Sequence, residues 1–125
     1  MLPRKLNVLA QAAAQIKTQF DPYVVADVND YQIKVAKFGP EFEWHAHQDE
    51  DEAFLILTGQ IAIDFRDGTV TLDEGDFLVV PKSVEHRPRA LTENPIVLMF
   101  EPATTHNTGG TESRFSRTQL NRLTP

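Results

Sequence analysis

Apolar positions change period along this chain. Between Lys5 and Phe20 they recur at spacings of three and four (Leu6, Leu9, Ala13, Ile16, Phe20), which predicts a helix over 5–20 with one apolar stripe. Pro3 stands just before it and Asp21-Pro22 stops it. So short a helix needs a larger body to pack on. Beyond Pro22 the period falls to two. Tyr31, Ile33 and Val35 alternate with Gln32, Lys34 and Ala36; Ile61, Ile63 and Phe65 alternate with Ala62, Asp64 and Arg66; Val70 and Leu72 flank Thr71. Unbroken apolar runs follow at 77–80 and 96–100. Turn residues punctuate them at Asn29-Asp30, Gly39-Pro40, Thr58-Gly59, Asp67-Gly68, Gly75-Asp76 and Asn94-Pro95, and Asp67-Gly68 is the clearest hairpin signal. About eight or nine short strands at regular spacing predict an all-β sandwich or barrel rather than a sheet with helical crossovers.

The organisation expected is a helical segment over 1–22, a β-barrel over 23–102 and a polar segment over 103–125, rich in Thr, Asn, Ser and Arg, lying as an extended edge or a loosely held tail. With 125 residues, 41% hydrophobic and 24% charged, the chain suits one packed domain. It has no cysteine, which excludes disulfides, thiolate metal sites and cysteine nucleophiles. That usage, with no signal peptide legible in the first twenty residues, gives the cytoplasm as the expected compartment. No apolar run approaches the roughly 18 residues of a membrane span. A net charge of −6 makes nucleic acid an unexpected partner.

Three of the four histidines join one pattern. His45 and His47 are two apart in a segment that reads as strand, so both imidazoles project from one face and make a natural chelate for a transition metal. Glu52 follows a short acidic loop and opens the next strand, and His86 comes after the strand ending at Pro81. Written out, Gly39-x5-His45-x-His47-x4-Glu52-x6-Gly59 and Gly75-x5-Pro81-x-Ser83-x2-His86 resemble the two cupin motifs, about fifteen residues apart as in compact members of that family. Two positions depart: Ser83 stands where the family usually has Gly, and Ala90 where it often has Asn. Ser83 suggests a turn that does not need the left-handed conformation. The segments EFEWHAH, DEAF, VVPKSVEHRP and EPATTHNTGG look like small single-domain bacterial cupins described as mannose-6-phosphate-isomerase-like, a description that assigns no reaction.

The resemblance implies a double-stranded β-helix of the jelly-roll type with the N-terminal helix packed outside. It also implies a site in which His45, His47, Glu52 and His86 hold one divalent transition metal (Fe, Mn, Ni, Zn, Co or Cu), with a position left open to water or substrate. Because the imidazoles must be neutral to bind, metal affinity is expected to weaken below about pH 6. The function implied is action on a small oxygen-rich molecule by a dioxygenase-, isomerase- or hydrolase-like reaction. The alternative is a non-catalytic module that binds a sugar or acid around a structural metal. Strand parity places Glu43 on the face of the histidines as a candidate catalytic acid or base, and Trp44 on the opposite face, under the helix or in a subunit interface. Asp51 is read as a solvated loop residue or a partner for a histidine. Lys82, Arg87 and Arg89 are read as a charged rim or an anchor for an acidic substrate, and His106 as a solvent-facing loop residue or a contributor to the barrel mouth. A homodimer is expected, since barrel edges and Trp44 need cover.

Overall fold

A computed structural model describes residues 1–125. One helix, α1 (Val8–Gln15), precedes eight strands: β1 (Tyr23–Val28), β2 (Tyr31–Lys37), β3 (Glu52–Thr58), β4 (Ile61–Phe65), β5 (Gly68–Leu72), β6 (Phe77–Val80), β7 (His86–Ala90) and β8 (Ile96–Pro102). They form two antiparallel sheets, of order β1-β2-β8-β3-β6 and β5-β4-β7. This is the all-β class the strand spacing predicts, in the jelly-roll form the resemblance implies. The Asp67-Gly68 signal marks the β4–β5 hairpin, with Arg66 and Asp67 as the loop and Phe65 facing Gly68.

The helix is shorter than its periodicity suggests. Asn7 caps it, its Oδ1 accepting from the Ala10 amide at 2.9 Å, and it ends at Ile16, whose backbone is extended. Lys37 Nζ donates to the last-turn carbonyls of Ala13 and Ile16 at 3.1 and 2.8 Å, satisfying groups the helix leaves open. Its buried side is Ala12 with neighbouring Ile16, packed outside the larger sheet on Val35, Ile96 and Leu123, while Leu9 faces solvent. Phe20 lies beyond the helix, in the core between the sheets.

The structure decides the sense of the alternation in β2. Lys34 and Ala36 are the buried residues facing the second sheet, while Tyr31 is exposed on the outer face. The register carries this outer face through Ile33, Phe100, Ala53 and Val79, and through Val35, Leu98, Leu55 and Phe77. Helix α1 and Leu123 cover its Val35 end, and Phe77 stays 62% exposed at the other. The inner face carries Ala36, Val97 and Ile56 in one row, Lys34, Met99 and Phe54 in the next, and then Gln32 beside Glu101.

The polar C-terminal segment is an edge element. Arg122 bridges Val24 in parallel, the Val24 amide donates to Asn121 at 2.9 Å, and Leu123 is buried. Its turns thereby cover the backbone edge of β1. Trp44 is not under the helix. It lies half-buried beneath the guanidinium groups of Arg66 and Arg87, 3.9 and 4.8 Å from its ring centroid, because those side chains project from the outside of the smaller sheet.

Candidate metal centre

The strand expected at 43–47 reduces to a single bridge, and that bridge joins two of the candidate ligands. The His45 amide donates to the His86 carbonyl at 3.0 Å, and the His86 amide donates back to His45 at 2.9 Å. Beyond it the Ser83 amide donates to the His47 carbonyl at 2.7 Å. Glu52 opens β3 on its inward face, and His86 opens β7 on its own. All four side chains are buried, and one donor atom from each lies within 4.8 Å of the others. That is close to the ~4 Å that two donors span across a shared ion.

Backbone carbonyls fix two of the rings. His45 Nδ1 meets the Glu43 carbonyl at 3.0 Å, and His86 Nδ1 meets that of Val84 at 3.0 Å. A ring whose Nδ1 donates to a carbonyl presents Nε2 with its lone pair free. His86 Nε2 and both nitrogens of His47 are buried without hydrogen-bond partners, though Glu52 Oε1 lies 3.2 Å from His47 Nε2 and 3.6 Å from His86 Nε2. Leaving such groups unsatisfied costs about 1–3 kcal/mol each, so neutral nitrogens converging on a carboxylate suit a bound cation. The residues present therefore fit a divalent transition metal.

Charge in the site is tightly arranged. Burial, and next the neighbouring His86, lower the His45 pKa to about 4. Burial alone would raise Glu52, but its contacts with His47, His86 and Glu101 outweigh that and hold it well below the usual carboxylate range. His45 therefore resists the proton that an unfolded histidine takes up near pH 6.5. The associated stability is present above that pH and is lost as pH falls toward 4. For the metal-free protein this contributes roughly 3 kcal/mol, to be read as a falling Tm between pH 7 and 4.5. A flat Tm across that range would contradict the lowered pKa.

The cluster opens onto a cavity of about 430 Å³ whose wall includes His45 and Glu52. The same wall holds Lys34 and Glu101, which the motif search did not reach. Lys34 Nζ lies 3.0 Å from Glu101 Oε1, with both side chains buried, and the Glu101 carboxyl also contacts that of Glu52. Burial, and then the charge of Glu52, push Glu101 well above its ordinary pKa, with Lys34 opposing. The signal for Glu101 was its place two residues after Met99 in the β8 run, on the inward parity.

Other expected residues lie elsewhere. Glu43 turns its carboxylate to Ser113, Oε1 accepting from Oγ at 2.5 Å, and is absent from the cavity wall; its contribution to the site is the carbonyl that holds His45. Asp51 partners no histidine and instead accepts from the Lys82 amide at 2.8 Å. Arg87 and Arg89 do not anchor anything in the cavity, because both converge on Asp64 outside the smaller sheet, at 3.0 and 2.9 Å. Exposed His106 does reach the cavity mouth.

Ser83 overturns the reading of its turn. Its φ is 70°, in the left-handed region, and the Ser83–His47 and Lys82–Asp51 hydrogen bonds hold it there. Left-handed geometry costs a residue with a Cβ roughly 1–2 kcal/mol, part of which glycine's larger unfolded-state entropy would offset. Ser83→Gly is thus expected to raise stability by about 0.5 kcal/mol, measured as a higher urea midpoint.

Comparison with known proteins agrees with this geometry. The cupin-domain family matches residues 33–102, and the chain belongs to that family. It is 37% identical over 87 residues to the uncharacterized protein YdbB of Bacillus subtilis (strain 168), a stretch covering 69% of this chain and 77% of that protein. A cupin-2 domain protein from Shewanella frigidimarina is 36% identical with a TM-score of 0.69, covering 77% of this chain and 99% of its own. Protein NMB1881 from Neisseria meningitidis is 31% identical with a TM-score of 0.70, covering 80% and 100% respectively.

Proposed function

We propose that this cupin is a metal-dependent enzyme acting on a small oxygen-rich molecule, with a dioxygenase-, isomerase- or hydrolase-like reaction. The observation that carries the reading is that two of the four candidate ligands, His45 and Glu52, form part of the wall of a 430 Å³ cavity. A purely structural metal would be closed off by protein. A bound divalent transition metal supplies Lewis acidity toward a substrate oxygen. The chain's own residues hold the His45 and His86 imidazoles in one tautomer through the Glu43 and Val84 carbonyls and place Glu101 in the cavity wall. Glu101 replaces Glu43 as our candidate acid or base, since its carboxyl lies in the cavity wall.

Elemental analysis of the purified protein, then mass spectrometry of small hydroxy acids, oxo acids and sugars incubated with the metal-loaded form, tests the reading. Conversion of one of them supports it. Binding with every compound returned unchanged would favour a non-catalytic module.

The homodimer we propose uses the outer face of the larger sheet rather than Trp44. Val28, Tyr31, Phe77, Val79 and Phe100 are exposed there, and Tyr31 and Phe100 stack at 4.9 Å. The β1 edge is covered by the chain's own tail, while β6 pairs only with β3. Phe77→Asp is expected to convert a dimer to a monomer in light scattering; a dimer that survives it places the interface elsewhere.

A further inference from the structure

Residues 39–47 carry two of the four candidate ligands and belong to no strand. Their backbone-to-backbone hydrogen bonds run to Ser83, His86 and Ala90, all on one side. A segment tied along one edge opens locally at low cost. A metal site instead needs its ligands held to within about 0.5 Å. The C-terminal segment supplies the other edge. Ser113 Oγ donates to Glu43 Oε1 at 2.5 Å, and the Phe115 ring stands 4.9 Å from that of Phe42. Gly109 packs directly on the backbone of Ala46, the residue between His45 and His47. A Cβ at Gly109 would collide with the Ala46 carbonyl oxygen, and its φ of 64° is left-handed, so both space and backbone call for glycine.

The loop that makes these contacts is closed on itself. Asn107 Nδ2 donates to the Phe115 carbonyl at 2.7 Å, and Asn107 Oδ1 accepts from the Arg117 amide at 3.0 Å. Inside it, the buried Thr108 hydroxyl lies 2.6 Å from the Thr111 carbonyl and 3.0 Å from Ser116 Oγ. Residues 107–117 thus form a compact Ω-type loop packed by its own side chains. Ser113 is oriented within it: its Oγ accepts from the Phe115 amide at 3.1 Å, which turns its proton toward Glu43.

We propose that loop 107–117 is a brace for the metal-ligand segment, with Ser113 and Gly109 as positioning residues for His45 and His47. This rests on the metal-site reading above and names what holds two of the ligands in place. Ser113 acts through Glu43, whose side chain it fixes and whose carbonyl meets His45 Nδ1 at 3.0 Å. Gly109 acts through the Ala46 backbone, to which both ligand residues are joined. Neither residue touches the ion. Both decide how far the imidazoles can drift from it, and loss of such a group typically costs about 10–100-fold in metal affinity.

Cobalt(II) is the probe, titrated into metal-free protein against a competing chelator, with its visible absorption reporting the ligand geometry. Ser113→Ala and Gly109→Ala should each bind it at least about tenfold more weakly and shift the absorption bands. Ser113→Thr keeps the hydroxyl and should stay within about threefold of the wild type. Arg122→Ala frees the same C-terminal segment from Asp27, 2.9 Å away at its far end, and should leave affinity within about twofold. Hydrogen exchange in the metal-free protein gives a reading that needs no ion. The His45 and Ser83 amides, which tie the ligand segment to residues 83–86, should exchange about tenfold faster in Ser113→Ala and Gly109→Ala, with the β2–β8 amides unchanged. Wild-type affinity in both variants would overturn the proposal. So would an equal loss in Arg122→Ala, which marks a general loosening of the tail, or a Ser113→Thr as weak as Ser113→Ala. A wild type that takes up no cobalt would instead refute the metal-site reading, and the exchange rates would still decide whether the loop braces residues 43–47.

Discussion

Replacing His47 and His86 together by alanine is expected to abolish metal binding, from about one ion per chain to less than a tenth in elemental analysis. These two side chains supply the three buried nitrogens that have no hydrogen-bond partner within the protein. A bound cation would take one nitrogen from each of the two rings and so compensate part of that burial. Loss of a group that merely orients a ligand costs 10–100-fold in affinity, so loss of a ligand itself should cost at least ~100-fold. Stability gives a second reading. Metal at 100 times its Kd stabilises a native protein by about 2.7 kcal/mol, so the wild type should melt several degrees higher when loaded and the variant should not respond. Retention of stoichiometric metal by the double variant would show that the ion binds elsewhere.

Lys34→Met alone is expected to destabilise the protein by about 3–5 kcal/mol, measured by urea denaturation. Lys34 and Glu101 are 3.0 Å apart, and their side chains are 4% and 3% exposed. Removing the ammonium leaves a carboxylate buried beside Glu52, with desolvation and like charge acting together. The Lys34→Met/Glu101→Met pair should recover most of that loss, because replacing both members of a buried ion pair with apolar groups is often neutral. The single variant's loss should shrink as pH falls, since burial and the charge of Glu52 raise the Glu101 pKa and favour its neutral form. A single variant as stable as the wild type would mean that water reaches Glu101 freely.

The wall that Lys34 and Glu101 form explains why the alternation in β2 predicts a strand correctly but not its orientation. The alternation of Tyr31, Ile33 and Val35 with Gln32, Lys34 and Ala36 does not say which set faces the other sheet. In the structure Lys34 and Ala36 face the space between the sheets, where the cavity lies, whereas Tyr31 is exposed on the outer face and Val35 is buried there under α1. Period two reports pleating and is blind to which face is enclosed. The helix shows the same limit. Its stripe was legible, but Leu9 remains in solvent and Phe20 belongs to the cavity, because a turn after Ile16 redirects the chain.

By itself the sequence determined the strand-rich class, the β4–β5 hairpin and the four residues His45, His47, Glu52 and His86, which are legible because motif spacing and strand period are local properties of a chain. The tertiary structure alone decided that Glu101 and Lys34 join the site, that Glu43 turns to Ser113, that Arg87 and Arg89 face Asp64, and that the C-terminal segment closes the β1 edge. Each of these depends on which strands become neighbours and which face is enclosed, and that is settled only when residues far apart in the chain pack against one another.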